Sequence, residues 1–199
     1  MSAIPAPVLA DLIPGRTLAL PVRALRTAAL VLGGTAFLAI ASQVAVPLPF
    51  TPVPVSLATG AVVLLGAGLG PRLGTASALL YLIAGMAGAP IFAEQSFGWA
   101  FASFGYVIGY VPAAYIAGVL ARRAADRSVW KTAALAGAST IAAYVVGVPW
   151  LMAFLGVDFA AGLALGVLPF LIGDAVKMVA AALVLPGTWK VVDRVRGEK

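Results

Sequence analysis

Cysteine and histidine are both absent from this chain, and only 10% of its residues are charged. Without cysteine there is no disulfide framework and no thiolate chemistry. Without histidine the commonest metal ligand and the commonest general base are missing. No paired-carboxylate motif replaces them, so the residues point away from an enzyme, and no cofactor or metal is expected. There is no Gly-x-x-x-x-Gly-Lys-Ser/Thr phosphate loop either, so ATP is not bound in that way. Soluble domains carry about 25% charged residues. A chain this poor in charge, and 62% hydrophobic, cannot cover itself with a solvated surface. The solvent that remains is lipid.

A helical crossing of the bilayer takes about 20 apolar residues, so about six crossings nearly fill the chain. This predicts an all-α integral membrane bundle of six transmembrane helices and leaves no room for a soluble domain. The charged residues and the prolines punctuate it. Nothing is charged between Arg26 and Arg72, and Pro47, Pro49, Pro52 and Pro54 interrupt that stretch with a segment that cannot be a regular helix. Gly70-Pro71-Arg72 marks the next turn. The predicted helices are 25–46, 55–69, 73–87, 101–120, 132–155 and 160–185. The membrane domain is 24–189, flanked by tails at 1–23 and 190–199. Within the first of these, Met1 to Arg16 has three prolines and Asp11 but no basic stretch ahead of an apolar run, so it is read as a retained tail rather than a signal peptide.

The net charge is +6, which on a soluble protein would raise the question of nucleic acid. Here the basic residues flank apolar runs, which is a pattern of membrane topology, and no nucleic-acid partner is expected. With the N-terminus in the cytoplasm, the inner segments carry Arg16, Arg23, Arg26, Arg72, Arg122, Arg123, Arg127, Lys131, Lys190, Arg194, Arg196 and Lys199. The outer loops carry no basic residue, only Glu94 and Asp158. The positive-inside rule then puts both termini in the cytoplasm and requires an even number of crossings. Small residues recur four apart at Ala29/Gly33, Gly66/Gly70, Gly105/Gly109, Ala113/Ala117 and Gly162/Gly166, a spacing that brings helix backbones close. Most of these pairs read as internal packing. The pair on the first helix is the candidate for a face offered to a partner.

Lys177 is the one basic residue without a topological role. It lies inside the sixth predicted helix, with Asp174 one turn before it on the same face. A charge at mid-membrane costs at least about 2.5–3.5 kcal/mol on insertion scales. Two readings stand side by side: a structural ion pair between packed helices, or a substrate or ion site. Pro169 and Gly173 nearby would loosen the helix and free a carbonyl. The pair suits a small neutral polar ring on an apolar body, with Asp accepting from N–H groups and Lys donating to a carbonyl or carboxylate. Tyr81, Phe92, Trp99, Phe104 and Tyr106 could wall such a site or simply belong to the core or the interfacial belt. Gln43 could bond a ligand or cap loop backbone.

Several segments resemble the biotin transporter BioY family. They are Pro47 to Val55 (PLPFTPVPV), Gly70-Pro71-Arg72-Leu73-Gly74, Tyr81-Leu82, Gly85 to Phe92 (GMAGAPIF), Gly147-Val148-Pro149-Trp150 and Gly166 to Lys177 (GVLPFLIGDAVK). The resemblance implies a six-helix substrate-binding S component of an energy-coupling-factor transporter in the cell membrane. Such a subunit takes a vitamin from outside and works with a transmembrane coupling subunit and two cytoplasmic ATPases. It implies biotin as ligand, with Asp174 and Lys177 in its recognition and Tyr81, Gln43, Phe92 and Tyr106 as further site residues. The proline-rich loop and the Glu94 loop would act as lids. Ala58, where the family commonly has Gln, and the loop 93–99, which is commonly Gly-rich, depart from its pattern. An S component for another vitamin, or an autonomous secondary transporter using Asp174 as a proton site, are the alternatives.

Overall fold

The computed structural model describes residues 5–14 and 19–197. Arg16 and Lys199, counted above among the inner basic residues, lie outside the described residues. Among the described residues six α-helices follow in order: α1 (Leu20–Gln43), α2 (Ala58–Met86), α3 (Phe104–Ala121), α4 (Val129–Leu155), α5 (Phe159–Gly166) and α6 (Leu171–Arg196). Between α1 and α2 stand two short strands, β1 (Ala45–Leu48) and β2 (Thr51–Ser56). Among the described residues, five segments are long and apolar enough to cross a membrane: Leu20–Gln43, Ala58–Met86, Phe104–Ala121, Val129–Leu155 and Phe159–Arg196.

One of the five, α2, turns back on itself. Gly70 in α2 has φ 80° and ψ 174°, outside helical space, and Pro71 follows it. Glycine is the residue that takes this positive φ at no steric cost, and proline opens a helix well at its first position. A Cβ built on Gly74 would lie 2.9 Å from Gly66 Cα. In a straight helix eight residues span about 12 Å. The chain therefore doubles back at Gly70, giving a first limb at 58–69 and a second at 71–86. This is the turn expected at Gly70-Pro71-Arg72.

The limbs pack through small residues. A Cβ on Gly66 would meet the Ala114 carbonyl oxygen at 2.3 Å, and one on Gly109 would meet the Ala143 carbonyl oxygen at 2.7 Å. Backbone-to-backbone approach of this kind binds the first limb to α3, and α3 to α4. Gly33 on α1 has nothing within 4 Å, and Ala29 beside it is exposed, so that small face of α1 is bare.

The proline-rich segment was expected as a loop and is a β-hairpin. β1 and β2 pair antiparallel, Val46 opposite Val55 and Leu48 opposite Thr51, with a bulge between Val46 and Leu48. Pro52 and Pro54 are two apart, so both missing N–H donors face the same edge of β2. The Leu57 N–H donates to the Val44 carbonyl, which puts the odd-numbered positions toward β1 and the prolines on the open edge. Pro47 sits at the bulge. The hairpin also shortens the flanking helices: α1 ends at Gln43 rather than 46, and α2 begins at Ala58 rather than 55.

The sixth predicted helix, 160–185, is interrupted and longer than expected. α5 stops at Gly166, a 3-10 turn spans Leu168–Phe170, and α6 runs on to Arg196 through the expected tail. Pro169 has no N–H for the Leu165 carbonyl, which accepts instead from Thr51 Oγ1 at 2.7 Å. The Phe170 N–H turns to the Val167 carbonyl, and the Gly166 carbonyl accepts from the Tyr106 hydroxyl at 2.7 Å. The break thus gains partners on the hairpin and on α3.

Two ends of the bundle result. One carries the hairpin, the loop after α2 and the α4–α5 loop. The other carries the Gly70 turn, the α3–α4 loop and the last turns of α6, where Trp189 Nε1 bonds the buried Asp126 carboxylate at 2.5 Å. The segment before α1 joins this second end, where Arg122 pairs with Asp11.

Candidate functional site

The break between α5 and α6 directs the first turn of α6 inward, and Asp174 there is only 5% exposed. Lys177 Nζ donates to Asp174 Oδ1 at 2.8 Å and to Thr59 Oγ1, on the first limb of α2, at 2.7 Å. The Thr59 hydroxyl lies 3.3 Å from the same carboxylate oxygen and donates to it. The Tyr144 hydroxyl, from α4, donates to Asp174 Oδ2. A carboxylate has about four acceptor positions and an ammonium three donors. Three acceptor positions of Asp174 and two donors of Lys177 are used within the chain, leaving about one of each for another molecule.

These groups border a cavity between the helices, the hairpin and the loop after α2. Tyr81, Phe92, Phe101, Tyr106, Tyr110, Tyr144 and Phe170 give it an aromatic lining, and Ser56 and Ser96 add hydroxyls. Its volume is about 50 Å³. That is room for a few waters at about 10–15 Å³ each, whereas small-molecule sites commonly reach about 300–1,000 Å³. A bicyclic ligand needs the lining to yield. The part of that lining that does not stand on the long helices is the hairpin (Val53, Pro54, Ser56), the segment before α3 (Phe92, Ala93, Ser96, Phe101, Ser103) and Phe170 of the 3-10 turn.

The walls are held from behind. The Tyr81 hydroxyl and Ser42 Oγ are 2.7 Å apart, and Ser42 donates to the Leu38 carbonyl. Tyr81 and Phe92 meet edge to face with centroids 5.1 Å apart, and Tyr106 and Tyr144 do the same at 6.1 Å. Such pairs add about 0.5–1.5 kcal/mol beyond burial and fix ring planes.

Of the residues singled out from sequence, Asp174, Lys177, Tyr81, Phe92 and Tyr106 all border this cavity. Gln43 does not. Its Nε2 donates to the carbonyls of Ile91 and Phe92, both at 3.0 Å, and its Oε1 accepts from the Gln95 N–H at 3.3 Å. It staples the loop to α1, the second of the two roles considered for it. Phe104 packs behind Phe92 and Trp150, and Trp99 is 61% exposed. Sequence reasoning missed Thr59, Tyr110, Tyr144 and Phe170. A phenol in mid-span was the available signal for Tyr144, because a buried tyrosine hydroxyl needs a partner.

The BioY family profile matches residues 15–194. This chain belongs to the BioY family. Its relatives include the probable biotin transporter BioY of Pyrococcus horikoshii, 38% identical over 136 residues, covering 67% of this chain and 78% of the relative. The biotin transporter BioY of Thermotoga maritima is 29% identical over 153 residues, covering 75% and 88%. Among solved structures, the S-component for biotin from an ECF-type ABC transporter matches with TM-score 0.76 at 21% identity, covering 87% of this chain and 95% of that one. At that identity the match concerns the fold, which for this BioY-family chain is the S-component membrane fold.

Proposed function

We propose that this BioY-family chain is the biotin-binding subunit of a biotin uptake transporter. The observation that carries the reading is the buried Asp174–Lys177 pair facing an aromatic cavity with one acceptor and one donor to spare. Biotin's ureido ring presents two N–H donors and a carbonyl, and its tail ends in a carboxylate. Asp174 accepts a ureido N–H. Lys177 donates to the ureido oxygen or the carboxylate, and Thr59 and Tyr144 hold the pair in place. Tyr81, Phe92 and Tyr106 wall the apolar body of the ligand, while Gln43 acts through the loop it staples. The hairpin and the 88–99 loop are the lids.

The chain sits in the cell membrane with six crossings: α1, the two limbs of α2, α3, α4, and α5 with α6. The doubling-back at Gly70 supports this count, because it converts five apolar segments into six passes. Both termini and the basic end are cytoplasmic, following the positive-inside rule. The membrane domain is 24–189 with flanking cytoplasmic segments, the last of them a continuation of α6. A transmembrane coupling subunit and two cytoplasmic ATPases supply energy, and the bare Ala29/Gly33 face of α1 is where a partner helix approaches closely. The test is biotin uptake by a biotin-requiring host expressing the chain with and without such partners. Uptake that depends on ATPase partners supports the reading. Uptake that persists without them and collapses with a protonophore favours a secondary transporter using Asp174 as a proton site.

A further inference from the structure

At the end of the bundle opposite the cavity, α1, the Gly70 turn and the end of α3 enclose a recess of about 510 Å³. Arg23 and Arg26 of α1, Arg72 beside the turn and Arg122 after α3 line it, against the single acid Asp11. Arg122 is paired with Asp11, and Arg26 donates to the carbonyls of Ala10 and Ile13. Arg23 and Arg72 are exposed and have no hydrogen bond or ion pair among the described residues. Two unpartnered guanidiniums therefore share one recess with a further pair that is only partly neutralised. A guanidinium fork matches the oxygens of a phosphate group.

Beside this recess α1 is an apolar rail. Val22, Phe37 and Ile40, on the Arg26 side of the helix, are 43%, 44% and 70% exposed. A free anion has no use for such a wall, but a phospholipid does, since its acyl chains run down from a phosphate at the interface. Basic pockets between membrane helices on the cytoplasmic side suit anionic headgroups for this reason. We propose that the recess binds the phosphate of an anionic phospholipid of the cytoplasmic leaflet, through Arg23 and Arg72, with the acyl chains along α1. The inference rests on the placement of the basic end in that leaflet and is independent of the biotin assignment.

The test is a lipid titration of the full chain by native mass spectrometry, comparing dioleoylphosphatidylglycerol with dioleoylphosphatidylcholine. The expected result is a preference for phosphatidylglycerol on the order of tenfold. It should vanish in the double variant Arg23→Gln/Arg72→Gln and persist in Lys190→Gln/Arg194→Gln, which removes two basic residues elsewhere at the same end. Circular dichroism melting of each variant separates lost binding from lost fold, and neither Arg23 nor Arg72 has a partner among the described residues whose loss would unfold the chain. Equal affinity for the two lipids, or a preference that survives Arg23→Gln/Arg72→Gln, overturns the proposal. Full displacement of phosphatidylglycerol by millimolar inorganic phosphate also overturns it, in favour of a free-anion site.

Discussion

Removing one member of the Asp174–Lys177 pair and then both separates a ligand site from a structural strut. Lys177→Met keeps the length of the side chain and deletes its charge. Asp174 then sits 5% exposed without its cation, with only the Thr59 and Tyr144 hydroxyls to satisfy it. Breaking a buried pair in this way costs about 3–5 kcal/mol, whereas replacing both members is often near neutral. For a chain of this size that is a fall in melting temperature of about 6–20 °C for Lys177→Met. Asp174→Asn/Lys177→Met should recover most of it. Biotin affinity should behave differently. Each charge-assisted hydrogen bond to the ligand contributes about 1.5–3 kcal/mol, or roughly 10- to 150-fold in Kd. The single variant should lose at least that factor, and the double variant should lose more, although its stability returns. Melting in detergent micelles and equilibrium binding of labelled biotin are read on the wild type, Lys177→Met, Asp174→Asn and the double variant, completing a double-mutant cycle. If the double variant regains both stability and wild-type affinity, the pair is a strut and the reasoning fails.

Three further outcomes are expected. Tyr144→Phe removes the donor to Asp174 Oδ2 and should weaken biotin binding by about tenfold with little change in melting temperature; a large stability loss at unchanged affinity would assign Tyr144 to packing. Thr51→Val leaves the Leu165 carbonyl, freed by Pro169, without its partner, which costs about 1–3 kcal/mol and should appear as a lower melting temperature; an unchanged value would mean water replaces the hydroxyl. Asp126 is buried in the α3–α4 loop with one oxygen lacking a hydrogen bond, and burial raises its pKa despite the bond from Trp189. The folded state therefore holds this proton to higher pH than the unfolded state. The contribution is fully present below the unfolded pKa of about 3.9 and is lost as pH rises through the raised folded value. Asp126→Asn should accordingly melt at or above wild type at neutral pH, with the gap closing toward pH 4; a gap independent of pH would contradict the assignment.

The pair at the candidate site was legible in sequence because charge is so scarce here. Once the other basic residues were placed at helix ends, Lys177 stood out, and Asp174 one turn away made it a pair. The Gly70 turn was legible because glycine followed by proline leaves the chain few alternatives. Thr59 and Tyr144 were not, because a hydroxyl on an apolar span does not disturb its periodicity and only tertiary packing brings both to Asp174. The hairpin was hidden for a related reason. Four prolines rule out a helix, but whether they permit a strand depends on which edge faces a partner, and that is decided by the register with Val44 to Leu48. Helix α6 outran its expected end because lysine and arginine are good helix formers, so a basic stretch marks a membrane boundary without ending the helix. Gln43 is the last residue of α1, and its choice between ligand and backbone depended on where residues 91–95 fold back.

The central claim is that this chain itself holds biotin. Equilibrium binding of radiolabelled biotin to the purified chain, without partner subunits and with unlabelled thiamine and riboflavin as competitors, tests it most directly. The account predicts saturable binding of one biotin per chain that neither competitor displaces and that Lys177→Met weakens by at least about tenfold. Tight binding of thiamine or riboflavin with none of biotin would contradict it.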